Sequence, residues 1–350
     1  MKVLVTGANG FLGQHVVAEF LRRGHTVRAL IRPAANVAAL GWVDRVETFR
    51  GDLRATPNLV DAFAGVDALV HLAAAVTGSE DLQFAATVVG TEKLLDAMAR
   101  SQTGRLVLAS SISVYDWSAI RGTVDETAPT EADLYTRDGY AVSKVWQERV
   151  AERMAREHGW QLTVLRPVFI WGPGHADLSG IGQRVGPAYF VFGPMRPMPL
   201  SYVENTASAF VSATEKPAAV GQVLNVLDNE RISAWRYARS LIGRGDGSPR
   251  LRVPVPYWMA IATTRLAQWT SRRIFRGKGK LPSILVPCRF EARFKTVRFT
   301  DQKLRTVLEW TQPVPYEEAL RRTHAAPSED TASAPADARS QLSSPSSHAA

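Results

Sequence analysis

Five apolar, β-branched runs in the first third of the chain, KVLVT, TVRALI, VETFR, VDALVHLA and GRLVLAS, alternate with helical stretches such as FLGQHVVAEFLRRG and TVVGTEKLLDAMARS. Strand, helix and strand repeated in this way leave few solutions, because parallel strands need crossover connections and those connections cover the sheet. The chain is therefore expected to be α/β, a doubly wound parallel sheet wrapped on both faces. A helix is expected at about 138–158, QLTVLRP is a sixth strand, and GQVLNVLD is a candidate seventh, returning to the sheet at about 220–228. This places a first domain at 1–170. Residues 171–199 are rich in Gly and Pro and suit loops over a pocket. With the mixed stretch that follows, they make 171–324 a smaller C-terminal, mainly substrate-binding region. From about 325 the chain has almost nothing apolar to bury, and 325–350 is expected to be a disordered tail.

With 45% hydrophobic and 21% charged residues the composition is that of a soluble globular protein. The single cysteine, Cys288, excludes an internal disulfide and a cysteine-based metal cluster, so a reducing, cytoplasmic location is expected. The opening MKVLVTGANG lacks the features of a signal peptide, and no run of about 18 apolar residues offers a membrane span. The formal net charge of +9 is concentrated locally. Residues 265–298 hold ten Lys or Arg against one acid, Glu291, an excess equal to that of the whole chain. The seven histidines are scattered, so no metal is assigned, and no G-x-S-x-G elbow marks a hydrolase.

TGANGFLG sets Gly7, Gly10 and Gly13 after the first strand and at the mouth of the first helix. There the backbone can approach a pyrophosphate and the helix N-terminus favours its charge. Where the second strand ends, an acidic residue would hold an adenosine ribose, but the chain reads Ile31-Arg32-Pro33. Arginine there pairs with a 2′-phosphate, which favours NADP(H) and leaves NAD(H) open; the plainer reading is a solvated surface arginine. Asp52, after the third strand, either accepts from an adenine amine or caps a turn. Ser111 falls at the carboxyl end of the fifth strand, the edge at which such sheets bind ligands. In GYAVSKVWQE, Tyr140 and Lys144 are one helical turn apart. An ammonium there is expected to lower the phenol pKa and let Tyr140 exchange protons near neutral pH, while Ser111 polarises the same carbonyl oxygen.

These pieces, TGANGFLG, GDL, HLAAA, SSISVY, YAVSK and LRPVFIWGPG in that order over about 1–175, resemble the extended branch of the short-chain dehydrogenase/reductase superfamily, the NAD-dependent epimerase/dehydratase family. SYVENTASAF and VLNVLDNE resemble it more weakly. The resemblance implies a Rossmann-type sheet and a catalytic triad of Ser111, Tyr140 and Lys144. It further implies that Gly7, Gly10, Phe11, Leu12 and Gly13 hold the pyrophosphate and that Asp52 and Leu53 meet adenine. Leu72, Ala73 and Ala74 would line the cofactor, Lys144 would hold the nicotinamide ribose, and Pro167 and Val168 would contact the nicotinamide. Two positions depart from the pattern: Thr87 replaces the asparagine of N-V-x-G-T, and Asp116 replaces the glycine of VYG.

The branch contains sugar-nucleotide epimerases and dehydratases as well as reductases of hydrophobic ketones. YFVFGPMRPMPLSYVEN offers only Arg196 to grip a diphosphate, and Phe190, Phe192, Met195 and Met198 fit either an apolar pocket wall or core packing. SYVEN is most similar to the hydroxysteroid dehydrogenase-like group. The leading expectation is NADPH-dependent reduction of a hydrophobic ketone. An epimerase with tightly bound NAD and a non-catalytic NADPH binder are the alternatives. Trp258, Ile261, Ala262, Arg265 and Trp269 recur at helical spacing. For 254–280 a subunit contact, as in a homodimer, or a solvated face comes first and peripheral contact with an anionic membrane second, with no nucleic-acid partner expected.

Overall fold

The computed structural model describes residues 1–38, 40–134, 137–242, 249, 251–274 and 281–325. The expected tail from 326 onward, and the cations Arg276, Lys278 and Lys280, lie outside the described residues. The amino-terminal elements are β1 (Lys2–Thr6), α1 (Phe11–Arg22), β2 (Thr26–Ile31), β3 (Glu47–Arg50) and β4 (Ala68–His71). After them come α2 (Glu80–Phe84), α3 (Gly90–Ala99), β5 (Arg105–Ala109), β6 (Thr123–Val124), α4 (Gly139–His158) and β7 (Gln161–Pro167). The chain continues through β8 (Phe169–Trp171), β9 (Gly182–Val185), β10 (Ala188–Phe192), β11 (Leu200–Tyr202), α5 (Val203–Glu215), β12 (Val223–Val226) and α6 (Ala234–Leu241). It closes with β13 (Leu251–Val255), α7 (Tyr257–Ile274), α8 (Pro287–Phe294), β14 (Arg298–Phe299), α9 (Gln302–Leu308) and α10 (Tyr316–Ala325).

All seven strands expected from the β-branched runs join one sheet, in the order β12-β7-β5-β4-β1-β2-β3, with every pair parallel. Side chains alternate across it. Val3 and Val5 join Val16, Val17 and Phe20 of α1 and Phe210 of α5, whereas Leu4 joins Leu94 and Met98 of α3 and Ala151 and Met154 of α4 on the opposite face. Apart from the exposed edge strand β3, burial on both faces explains why these strands read as apolar runs. The direction of strand addition reverses between β1 and β4, so a crevice opens where their carboxyl ends diverge, the place where such sheets take ligands.

The helix expected from TVVGTEKLLDAMARS begins earlier than the sequence indicated: α2 runs through a π turn at Ala85–Val89 into α3. Around the sheet's carboxyl end, β9, β10 and β13 form a small sheet, and β8 pairs with β11 and β6 with β14. Trp171, Tyr202, Tyr237 and Tyr316 fill one core there, and Phe290 and Phe294 with Phe192 fill another.

Candidate active site

At the end of β1 the chain turns through Gly7 at φ +68°, a conformation costly for side chains. A Cβ on Gly7 would stand 2.9 Å from the Ala73 nitrogen, and one on Gly13 would stand 2.0 Å from the Gly7 carbonyl oxygen. The Gly10 N–H instead closes the turn on the Gly7 carbonyl at 2.9 Å. No side chain among the described residues caps α1, which leaves its first N–H groups available to a ligand. A tight cradle with uncapped amides fits a pyrophosphate. The Phe11 ring lies 4.6 Å from that of His175, and Leu12 packs into the cores on either side.

Beyond β2, Arg32 is exposed and close enough to Asp52 to lower its pKa. Asp52 caps its turn by accepting from the Arg54 N–H at 2.8 Å and pairs with the Arg54 guanidinium at 3.3 Å. The Arg54 hydrogen bond is the main reason its carboxyl sits below the usual range. This is the turn-capping role, and it leaves Arg32 and Arg54 as a cationic edge. Leu53 packs where Gly90 opens α3, and Leu72, Ala73 and Ala74, half-buried, continue from β4 along the floor of the crevice. Pro167 ends β7, and Val168 is buried with its N–H on the Val226 carbonyl at 3.1 Å.

Ser111, Tyr140 and Lys144 are brought together at the carboxyl end of β5. Ser111 caps the turn Ile112–Val114, accepting from the Ser113 N–H at 3.1 Å, and its hydroxyl is near enough to the Tyr140 phenol to favour the ionised form. Tyr140 stands in the first turn of α4, which Asp138 caps through the Ala141 N–H at 3.0 Å. Burial pushes the phenol above its ordinary value, only partly opposed by the Ser111 hydroxyl. The expectation that Lys144 lowers it is therefore corrected. The Lys144 ammonium lies 6.0 Å from the centre of the Tyr140 ring and points inward, donating to the Ala109 carbonyl at 2.7 Å and to Gln147 Oε1 at 2.8 Å. Its own pKa is brought down to about 7, because burial outweighs the pull of Glu148.

Below the triad runs a polar network that the sequence reading passed over. Thr6 Oγ1 lies 2.6 Å from His71 Nδ1, and His71 Nε2 lies 2.8 Å from Thr91 Oγ1. Thr91 donates its own hydrogen to the Thr87 carbonyl, so it accepts from His71 Nε2 and from Gln147 Nε2 at 2.9 Å. His71 is thereby the Nε2–H tautomer, accepting from Thr6 at Nδ1. Burial holds its pKa down to about 3, with the Lys144 charge adding to the effect. The signal was available: His71 is the one titratable side chain in the apolar run VDALVHLA that the sheet buries completely. Nearby, the buried Arg166–Glu148 pair at 2.7 Å fixes α4 to β7, and the Arg166 guanidinium lies 4.8 Å from the centre of the Tyr115 ring.

Both departures have a structural account. Thr87, in the π turn, accepts from the Ala75 N–H at 3.0 Å and so ties the helix to the crevice floor. Asp116 turns back into its own loop, accepting from the Ser118 and Ala119 N–H groups at 2.9 and 3.2 Å. The pocket-wall reading of YFVFGPMRPMPL gives way at three positions. Met198 is buried in the core, Phe192 packs edge-on against Phe290 and Phe294, and Met195 is 82% exposed. Arg196 is buried, its guanidinium donating to the Gly180 carbonyl, and desolvation lowers its pKa to about 10. A cavity of about 300 Å³ opens past β12 among Pro197, Asp228, Arg231 and Phe299, and no triad residue lines it.

The profile described as NAD dependent epimerase/dehydratase family matches residues 3–226. The 3beta-hydroxysteroid-dehydrogenase/decarboxylase isoform 2 of Arabidopsis thaliana is 28% identical over 347 residues, covering 91% of this chain and 61% of that protein. This chain thus spans under two thirds of that relative's length. The 2-alkyl-3-oxoalkanoate reductase of Stenotrophomonas maltophilia (strain K279a) is 29% identical, covering 81% of this chain and 88% of the relative. In structure, UDP-glucuronic acid 4-epimerase from Bacillus cereus, solved with UDP-glucuronic acid and NAD, superposes with a TM-score of 0.67 at 20% identity. It covers 93% of this chain and 98% of that one, a likeness of fold. The chain belongs to the NAD dependent epimerase/dehydratase family, within the extended branch of the short-chain dehydrogenase/reductase superfamily.

Proposed function

We propose that this protein is an NADPH-dependent oxidoreductase that reduces the ketone of a hydrophobic small molecule. The observation that carries the reading is the state of Tyr140: half-buried in the first turn of α4, beside Ser111, and with its pKa pushed upward. At neutral pH such a phenol is almost wholly protonated, since even an ordinary tyrosine is ionised only about once in 1,000 molecules. It is therefore in the acid form that reduction requires. Reduced nicotinamide, when bound, supplies hydride to the carbonyl carbon. Tyr140 gives its proton to the carbonyl oxygen, Ser111 hydrogen-bonds the same oxygen, and Lys144 borders them with a group that titrates near neutrality.

Cofactor choice follows from Arg32. The family uses NAD(P), and an exposed arginine at the end of β2, with Arg54 nearby, supports the 2′-phosphorylated form. For the substrate, Arg196 is enclosed in protein, which argues against a diphosphate grip there. Two relatives are named for oxoalkanoate reduction and hydroxysteroid oxidation, both at oxygens on largely apolar skeletons. The test is NADPH consumption, read at 340 nm, with hydrophobic 3-oxo acids and oxosteroids. Turnover with NADPH is expected. NAD retained through purification, together with isomerisation of a UDP-sugar and no net oxidation, would overturn the reading in favour of an epimerase.

A further inference from the structure

Helix α7 carries its apolar residues on the wrong side for a protein surface. Facing inward are Ala260, Ile261, Thr264 and Ser271, with Ala260 and Ile261 against Phe290 and Phe294. Facing outward are Trp258, Leu266 and Trp269, at 70%, 63% and 57% exposure, with Ala262 between them. Positions 258, 262, 266 and 269 form one stripe about 16 Å long. Ile261, which the sequence grouped with this face, belongs to the buried one. Met195, also exposed, lies in the turn after β10, which Gly193 ties to the end of β13, just ahead of α7, by donating to the Val255 carbonyl at 2.8 Å. Arg265, Arg272 and Arg273 flank the stripe and are exposed. Arg265 meets Glu291 at 3.4 Å, and the other two have no carboxylate partner among the described residues.

We propose that α7 docks this face on an anionic lipid surface, lying in the plane of the headgroups. Exposed tryptophans beside arginines match the apolar boundary and the negative charge of such a surface. A second copy fits worse. A two-fold contact would set the arginines of both copies against one another, and the stripe supplies on the order of 300 Å² where a stable interface takes about 800 Å² per partner. Docking of this kind is superficial, because no helix among the described residues is long and apolar enough to cross a membrane. The helix also stands close to the site. α8, on which α7 packs, is fastened by Arg289 to the Arg137 carbonyl at 3.0 Å and to Glu80 at 3.2 Å, just ahead of Tyr140. Delivery of an apolar ketone from the lipid phase rests on the reductase reading; the docking itself does not.

Flotation of the full chain with phosphatidylcholine vesicles, with and without phosphatidylglycerol, tests this at low and high salt. At least tenfold more protein is expected to float with the anionic vesicles, with loss at high salt. The triple variant Trp258→Ser, Leu266→Ser, Trp269→Ser is expected to stay behind while keeping its circular dichroism and its turnover of a soluble ketone. Absence of flotation at low salt, equal flotation of the triple variant, or a dimer in sedimentation that the triple variant dissociates would each overturn the proposal. Flotation does not depend on turnover, so failure of the reductase reading remains separately visible.

Discussion

Replacing Lys144 by methionine removes a charge from a fully buried position while keeping an unbranched side chain, and the consequence depends on pH. Lysine ordinarily titrates near 10.5, and burial brings Lys144 to about 7. Below pH 7 both folded and unfolded chains carry the proton, and the folded state bears the full cost of a buried ammonium. As pH rises from 7 toward 10.5 the folded lysine is already neutral while the unfolded one still holds its proton. The unfolded state then binds more protons, so wild-type stability rises with pH across this window. The charging cost is about 4 kcal/mol at pH 7 and falls by about 2 kcal/mol by pH 9. Against it, the variant leaves the Ala109 carbonyl and Gln147 Oε1 without their donor, at about 1–3 kcal/mol each. The two proteins should thus be of similar stability at pH 7, with wild type gaining about 2 kcal/mol on the variant by pH 9. Urea unfolding of both proteins at pH 7, 8 and 9 measures the difference directly. A difference that does not change with pH would refute the reasoning, since it would mean that Lys144 titrates in the folded protein as it does in the unfolded chain.

Three further substitutions probe the rest of the site. His71, neutral in the fold with a pKa near 3, makes wild type lose stability as pH falls from 6.5 toward 3, because only the unfolded chain takes up the proton. About 2 kcal/mol should go between pH 6.5 and 5, and the urea midpoint of His71→Asn should lack that slope. Gly13→Ala places a methyl 2.0 Å from the Gly7 carbonyl, so the cradle must open; NADPH affinity, read by calorimetry, should fall at least tenfold, by about 1.4 kcal/mol. Arg32→Ser should weaken NADPH about 10- to 100-fold, the loss of a charge-assisted hydrogen bond, and leave NADH unchanged in the same titration.

The sheet was legible because its central strands are buried on both faces, so KVLVT and QLTVLRP announce themselves as apolar runs. That Ser111, Tyr140 and Lys144 would come together was legible because Tyr140 and Lys144 share one helix and Ser111 follows a strand by two residues. Where Lys144 points was not legible, since its partners, the Ala109 carbonyl and Gln147, compete with the phenol in a way that spacing along one helix does not encode. The contact between His71 and Gln147 joins positions 76 apart in the chain and exists only once β4 and α4 have met. The outward apolar stripe of α7 was hidden for a related reason. Periodicity identifies a helix face without saying which face is covered, and Phe290 and Phe294 covered the side of Ile261 rather than that of Trp258.

The most direct measurement is the Tyr140→Phe variant, followed by steady-state turnover of a ketone substrate and by titration with NADPH. Loss of the acidic hydroxyl alone should lower kcat about 10²- to 10⁴-fold and leave the NADPH Kd within about twofold, because the ring stays in place while its proton is gone. Turnover by the phenylalanine variant at the wild-type rate would contradict the account, since some group other than Tyr140 would then be delivering the proton.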